Sequence, residues 1–329
     1  VNPTLQGYTS AILGATAATA ATAATAATGG QALPVLATDL ESIEQLVLAN
    51  GPLNAALTDT TMRPVARRAV MLDLLSQKVS EPARRLAAFA CAAVRAPEVP
   101  AALGWVATRA RHAAEGVEFN EETLSLLQSR QRVGGYATAI HEDLATSDLE
   151  ELEDSLFRFA RIVQSTPELR AALVDRDLAT SARQGLVSQL LEGKVHPSAL
   201  LLIRYVVVGG RARDIVGTLD WLVEQTAGAR GWRIARVRAA APIEEAQQGQ
   251  LSDSLTSLAG APVELQVVID EALLSGAVIQ IGDLQVDASA RGRIDALREH
   301  LMPGGWEDSG FHTNASPASG TTIQTEGAG

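Results

Sequence analysis

The residue types able to do covalent or metal chemistry are few in this sequence, and they are scattered. The histidines are His112, His141, His196, His300 and His312, and the single cysteine is Cys91. A metal centre needs at least three ligands converging on one point. These histidines fall on separate predicted elements, with no HExxH or CxxC pairing among them. No GxxxxGK[ST] loop offers to cradle a phosphate, and no GxGxxG follows a predicted strand. Carboxylates are plentiful, but Glu150, Glu151, Glu153 and Asp154 gather at a predicted helix start, where they complement the helix dipole as solvated charge. The sequence therefore implies no catalytic residue, no metal and no cofactor. A hydrolase or transferase would instead need a cleft holding convergent polar groups with perturbed pKa values.

Composition narrows the classes further. Twenty-seven Lys and Arg against 38 Asp and Glu leave a formal charge of −11 without a basic run, so affinity for nucleic-acid phosphates has no source. A hydrophobic fraction of 47% with only 4% aromatics fills cores with Ala, Leu and Val, which favours closely packed helices. Cys91 lies in an apolar stretch and reads as a buried thiol, which fits a reducing compartment. No stretch approaches the roughly 20 apolar residues of a spanning helix, so the chain is expected to be soluble and to reach a membrane only through partners.

The elements that would position a binding surface come from a duplication. Residues from Leu40 to Ala110 match those 116 positions later without a gap, with roughly a quarter of the pairs identical. Ala55-Ala56-Leu57-Thr58-Asp59 recurs as Ala171-Ala172-Leu173-Val174-Asp175, and Trp105 falls on Trp221. Near the N-terminus Gly7-Tyr8-Thr9-Ser10-Ala11-Ile12 resembles Gly135-Tyr136-Ala137-Thr138-Ala139-Ile140, now 128 positions apart. The uncharged Ala/Thr run from Ala15 to Thr28 accounts for the difference, as an extended first helix or a spacer.

The 329 residues divide into two or three units. Leu149, Leu152, Leu156, Phe159 and Val163 recur at helical spacing, and breaks at Thr166-Pro167, Gly193, His196-Pro197 and Gly209-Gly210 mark out a helical bundle. After Gly231 the period falls to about two, predicting strands at Ile234 to Ala239, Val263 to Ile269, Ala277 to Ile281 and Leu284 to Val286, with helices over 244–258 and 290–301. The expected fold is mainly α, with two tandem six-helix bundles, a small α+β domain and a disordered tail. Its boundaries are 1–116 for the first bundle, 117–133 for a linker helix, 134–230 for the second bundle, 231–301 for the α+β domain and 302–329 for the tail.

Within that last domain Ile269-Asp270-Glu271-Ala272-Leu273-Leu274-Ser275-Gly276-Ala277-Val278-Ile279-Gln280-Ile281-Gly282-Asp283 resembles the C-terminal signature of the F-type ATP synthase delta subunits, the oligomycin sensitivity conferral protein family. Val286-Asp287-Ala288-Ser289-Ala290-Arg291-Gly292-Arg293 is similar to that family's closing strand and helix. Ser275 and Ala288 stand where the family usually has glycine. Tyr136 to Ala229 resembles the family's six-helix N-terminal domain, and the extra first bundle resembles the enlarged delta proteins of actinobacteria.

The resemblance implies a non-catalytic stator subunit at the cytoplasmic face of the plasma membrane, linking the catalytic head to the peripheral stalk during proton-driven synthesis. It implies two partners, the N-terminal helix of an alpha subunit and a b-type stalk subunit. Carried over residue by residue, the receiving groove lies between the first and fifth helices of the second bundle, with Tyr136, Ala139, Ile140, Leu200, Ile203 and Val207 as apolar contacts. Ordinary core positions share that periodicity. Asp270, Gly276, Gly282, Asp283 and Asp287 set turns and a hairpin, Ser289 belongs to the same structural signature, and Arg291 and Arg293 either meet a stalk helix or cap their own. The competing expectation is a helical-repeat adaptor unrelated to ATP synthase, which would share the duplication but not the C-terminal signature.

Overall fold

The structure is a computed structural model that describes residues 2–23, 31–117, 125–175, 177–209, 214–270, 273, 275–281 and 284–287. It is mainly helical with a small sheet. The chain divides into two compact units, one of residues 1–235 with 248–265, the other of 236–247 with 266–329. The tail from 302, the expected helix over 290–301 and the middle of the expected linker lie outside the described residues.

In the first unit, α1 (Pro3–Ala23), α2 (Ala32–Ala49), α3 (Gly51–Thr58), α4 (Pro64–Leu74), α5 (Glu81–Ala93) and α6 (Val99–Ala114) pack round one apolar cluster. Proline sits in the first turn of α3, α4, α5 and α6, where a missing N–H costs nothing and φ is already helical. The Asn50 side chain accepts from Leu53 N at 3.1 Å and so starts α3. The Ala/Thr run extends α1 as helix to Ala23. Thr16 and Thr19 turn their hydroxyls back to the carbonyls of Ile12 and Ala15, at 2.8 and 2.9 Å, and the low helix propensity of threonine is thereby accommodated.

The next six helices are α7 (Leu126–His141), α8 (Thr146–Ser165), α9 (Pro167–Val174), α10 (Thr180–Leu191), α11 (Pro197–Gly209) and α12 (Ile215–Ala229). They close round a second cluster that contains the whole periodic set Leu149, Leu152, Leu156, Phe159 and Val163. A capping box of Ser125 and Gln128 opens α7, so residues from Leu126 onward belong to that helix and not to a separate linker helix.

The strands are β1 (Arg233–Ala239), β2 (Val263–Ile269), β3 (Ala277–Ile281) and β4 (Leu284–Asp287), in the order β2-β1-β3-β4, with α13 (Glu245–Ala259) between β1 and β2. Ala235, Val237 and Ala239 form the buried face of β1, as its period of two predicts. β3 and β4 pair antiparallel with Ile281 opposite Leu284, the expected hairpin. Gly276 takes φ +83° before β3. The left-handed position thus falls on the glycine, and Ser275 stands beside it without needing that conformation.

Candidate partner-binding site

The six residues expected to line a groove separate into two sets. Ala139, Ile203 and Val207 are buried, and Ile203 and Val207 belong to the second core. Ala139 is buried in the first core, that of α1–α6. Tyr136, Ile140 and Leu200 are half-buried and pack against the second core from outside, and Tyr136 packs against the first core as well. Tyr136 stacks on Tyr205 with ring centroids 3.9 Å apart, which fastens α7 to α11. One turn before Tyr205, Leu201 is 49% exposed. Leu201 and Tyr205 were not among the sequence candidates; the signal available was their spacing of four on one helix face.

The first helical group repeats this construction. Tyr8 stacks on Phe89 at 3.8 Å, and Tyr8 and Phe89 hold the repeat positions of Tyr136 and Tyr205. A second shared device joins the fourth and fifth helices. Arg67, buried on α4, donates to the carbonyls of Cys91 (2.8 Å), Val94 (2.9 Å) and Met62 (3.0 Å). Cys91 and Val94 lie at the end of α5, where carbonyls have no helical partner. Arg183, the repeat counterpart, reaches the carbonyl of Val207 at 3.5 Å. Cys91 itself is fully buried, and burial pushes its thiol up to about 12, the inert state expected of it.

Helix α1 lies against α7 at a crossing set by glycine. A Cβ added at Gly7 would overlap the main-chain oxygen of Arg132, and one added at Gly135 would overlap that of Thr4. Thr4 and Arg132 occupy the same repeat position, as do Gly7 and Gly135, so the crossing is two-fold related in sequence. At the end of α7 the Tyr8 hydroxyl donates to Glu142 at 2.6 Å, Arg68 reaches the same carboxylate at 2.5 Å, and Arg85 reaches Asp143 at 2.5 Å. Burial raises the Tyr8 phenol, aided by its bond to the Glu142 carboxylate. Glu142 is held below the usual carboxylate range by the Tyr8 and Arg68 bonds, against the opposing effect of burial.

Glu153 overturns its expected role as solvated charge. It is 2% exposed on α8, facing inward among Leu149, Leu152 and Leu156. Its Oε2 accepts from Arg230 Nη2 at 2.6 Å, and the same nitrogen reaches Glu264 at 2.6 Å. Arg230 also lies over the Trp232 ring at 5.5 Å from its centroid. Burial raises the Glu153 carboxyl to about 7, the Glu264 charge adds to this, and Arg230 opposes it. The sequence places four acids in five positions, and only the partner on α12's far end decides which of them turns in.

Trp221 and Trp105 pack from the half-exposed margin of their clusters, Trp221 against Gly134. Asp270 N donates to Ala239 O at 2.9 Å, and its carboxylate lies 3.5 Å from Arg238. Gly282, Asp283, Ser289, Arg291 and Arg293 lie outside the described residues, as does the side chain of Asp287. Among the described residues no group of three or more His, Cys, Asp or Glu is placed to hold a metal ion, and no helix is long and apolar enough to cross a membrane.

Comparison with known proteins bears on this arrangement. The family model described as ATP synthase delta (OSCP) subunit matches residues 133–301. An ATP synthase subunit delta of Parafrankia sp. (strain EAN1pec) is 32% identical over 266 residues, covering 81% of this chain and 86% of that protein. The ATP synthase subunit delta of Streptomyces avermitilis is 31% identical over 80% of this chain and 92% of its own length. That of Thermobifida fusca is 37% identical over a shorter stretch, 49% of this chain and 60% of its own length. The longer matches extend into the first helical group, which the family model does not reach.

Proposed function

The chain belongs to the ATP synthase delta (OSCP) subunit family, and on that premise we propose how this peripheral-stalk subunit of an F-type ATP synthase carries its load. A rotary synthase makes ATP only while its head is held against the turning shaft, so the stator must pass the counter-torque on through packed surfaces. The helices α1–α6 and α7–α12 act as tandem six-helix bundles, within residues 1–116 and 134–230 together with the turns of α7 that precede them. The second bundle takes the N-terminal helix of an alpha subunit along its α7–α11 face, by helix-in-groove recognition. The α+β part, residues 231–301, grips a b-type stalk subunit. The subunit does no chemistry itself and is held at the cytoplasmic face of the membrane through these partners.

The observation that carries this reading is the face of α11, where Leu201 stands 49% exposed beside half-buried Leu200 and the Tyr136–Tyr205 stack. Core packing accounts for Ile203 and Val207 and leaves Leu201 unexplained. Fully burying a leucine is worth about 1.5–3 kcal/mol. Leu201→Glu in the full chain is therefore expected to weaken binding of a labelled alpha-subunit N-terminal peptide by about tenfold or more, read by fluorescence anisotropy. Leu48→Glu, on the outer face of α2, serves as the control. Equal affinity in parent and both variants refutes the assignment of the face.

A further inference from the structure

The duplication makes one half of this chain a control for the other. Tyr8, Arg85, Ala88 and Phe89 hold the repeat positions of Tyr136, Leu201, Arg204 and Tyr205. All four are more enclosed in the first bundle. Tyr8 and Ala88 are fully buried and Phe89 is 8% exposed, while Tyr136, Arg204 and Tyr205 are half-buried. The Arg85 side chain is 17% exposed, against Leu201 standing open to solvent.

The C-terminal half of α7 closes over Tyr8 and Arg85 of this set. Arg85 donates to the main-chain oxygen of Ala139 at 3.0 Å, and Ala139 is part of the first bundle's core. One turn further on, Glu142 and Asp143 receive Tyr8, Arg68 and Arg85. The two-fold relation of the crossing does not extend to these bonds. Glu142 and Asp143 correspond to Gly14 and Ala15, and Arg68 and Arg85 correspond to Gln184 and Leu201, so no equivalent ion pairs can form on the other side. The charges that seal the α1–α5 seam are missing where the α7–α11 seam would need them.

We infer that the first bundle is a brace and not a second receiver: α7 fills its α1–α5 seam, and each chain takes one partner helix. This rests on the reading of the α7–α11 face as the receiving groove. A cavity of about 570 Å³ remains between α1, α2 and the start of α5, with Ile12, Thr16, Val35 and Leu36 on its walls and Arg85 and Asp143 at one side.

Two measurements on the full chain test the inference. A short bismaleimide is applied to the Arg68→Cys/Glu142→Cys double variant, in which Cys91 stays buried, with far-UV circular dichroism confirming the fold. High-yield intramolecular cross-linking is expected, and its absence overturns the closed seam. The labelled alpha-subunit peptide is then titrated to saturation. One peptide per chain is expected for the parent and for Val35→Glu, and for Leu201→Glu a single site weakened about tenfold or more in the same titration. Two per chain, or a single site lost in Val35→Glu and kept in Leu201→Glu, overturns the brace. A parent chain that binds no peptide refutes the receiving groove itself, a result distinct from a second bound peptide.

Discussion

Replacing Glu153 by glutamine is expected to stabilise the protein above neutral pH and to do little in acid. The carboxyl is 2% exposed, shares Arg230 Nη2 with Glu264, and has its Oε1 without a hydrogen-bond partner among the described residues. Its value is raised from 4.5 to about 7, so the folded state holds the proton more tightly than the unfolded chain. Stability from this group is therefore complete below pH 4.5 and declines as pH rises through 7. At about 1.4 kcal/mol per unit, that shift amounts to ~3 kcal/mol of stability lost between pH 4 and pH 8. Glutamine keeps an oxygen for Arg230 and removes the buried charge, and Glu264 and Glu150 remain within reach of the guanidinium. The competing effect is the loss of a buried ion pair, which destabilises by about 3–5 kcal/mol when one partner goes and the other is left uncompensated. Urea unfolding followed by tryptophan fluorescence at pH 5 and pH 8.5 decides between them. A Glu153→Gln variant less stable than the parent at pH 8.5 refutes the argument, because the carboxylate would then be a net gain in place.

Three further outcomes follow from the same structure. His141 is held at about 4 by burial, so its contribution is present above pH 6.5 and is lost as pH falls from there through 4; His141→Gln should flatten the acid limb of a stability profile, opposite in sign to the Glu153 effect. Gly135→Val should cost at least about 2 kcal/mol in calorimetry, because the added carbons meet the main chain of Thr4, which cannot swing aside as a side chain would. Arg67→Met should cost about 2–4 kcal/mol in urea unfolding, since it leaves three carbonyls at the ends of α4 and α5 without their donor, whereas Arg63→Met on the exposed turn beside it should be near neutral.

The periodic set on α8, the proline-started helices and the β3–β4 hairpin were legible because each is fixed by neighbours within a few residues. The repeat was legible for a related reason, that two copies under the same packing demands keep apolar against apolar. Glu153 was misread because helix-dipole reasoning applies equally to all four acids at that helix start; Arg230, 77 residues away, selects one. Ala139 looked like a groove residue and is a contact to the other copy. Its periodicity says only that it faces something.

The chain by itself determined that this is a duplicated helical protein ending in the strands of its family, since helix, turn and strand preferences act over a turn or two and survive without a partner. Only the tertiary structure decided how the copies differ. Gly7 and Gly135 let two main chains touch, Arg85 and Glu142 then seal one seam, and Leu201 leaves the other open. Those outcomes depend on distances between residues far apart in sequence, and no local propensity encodes a distance of that kind.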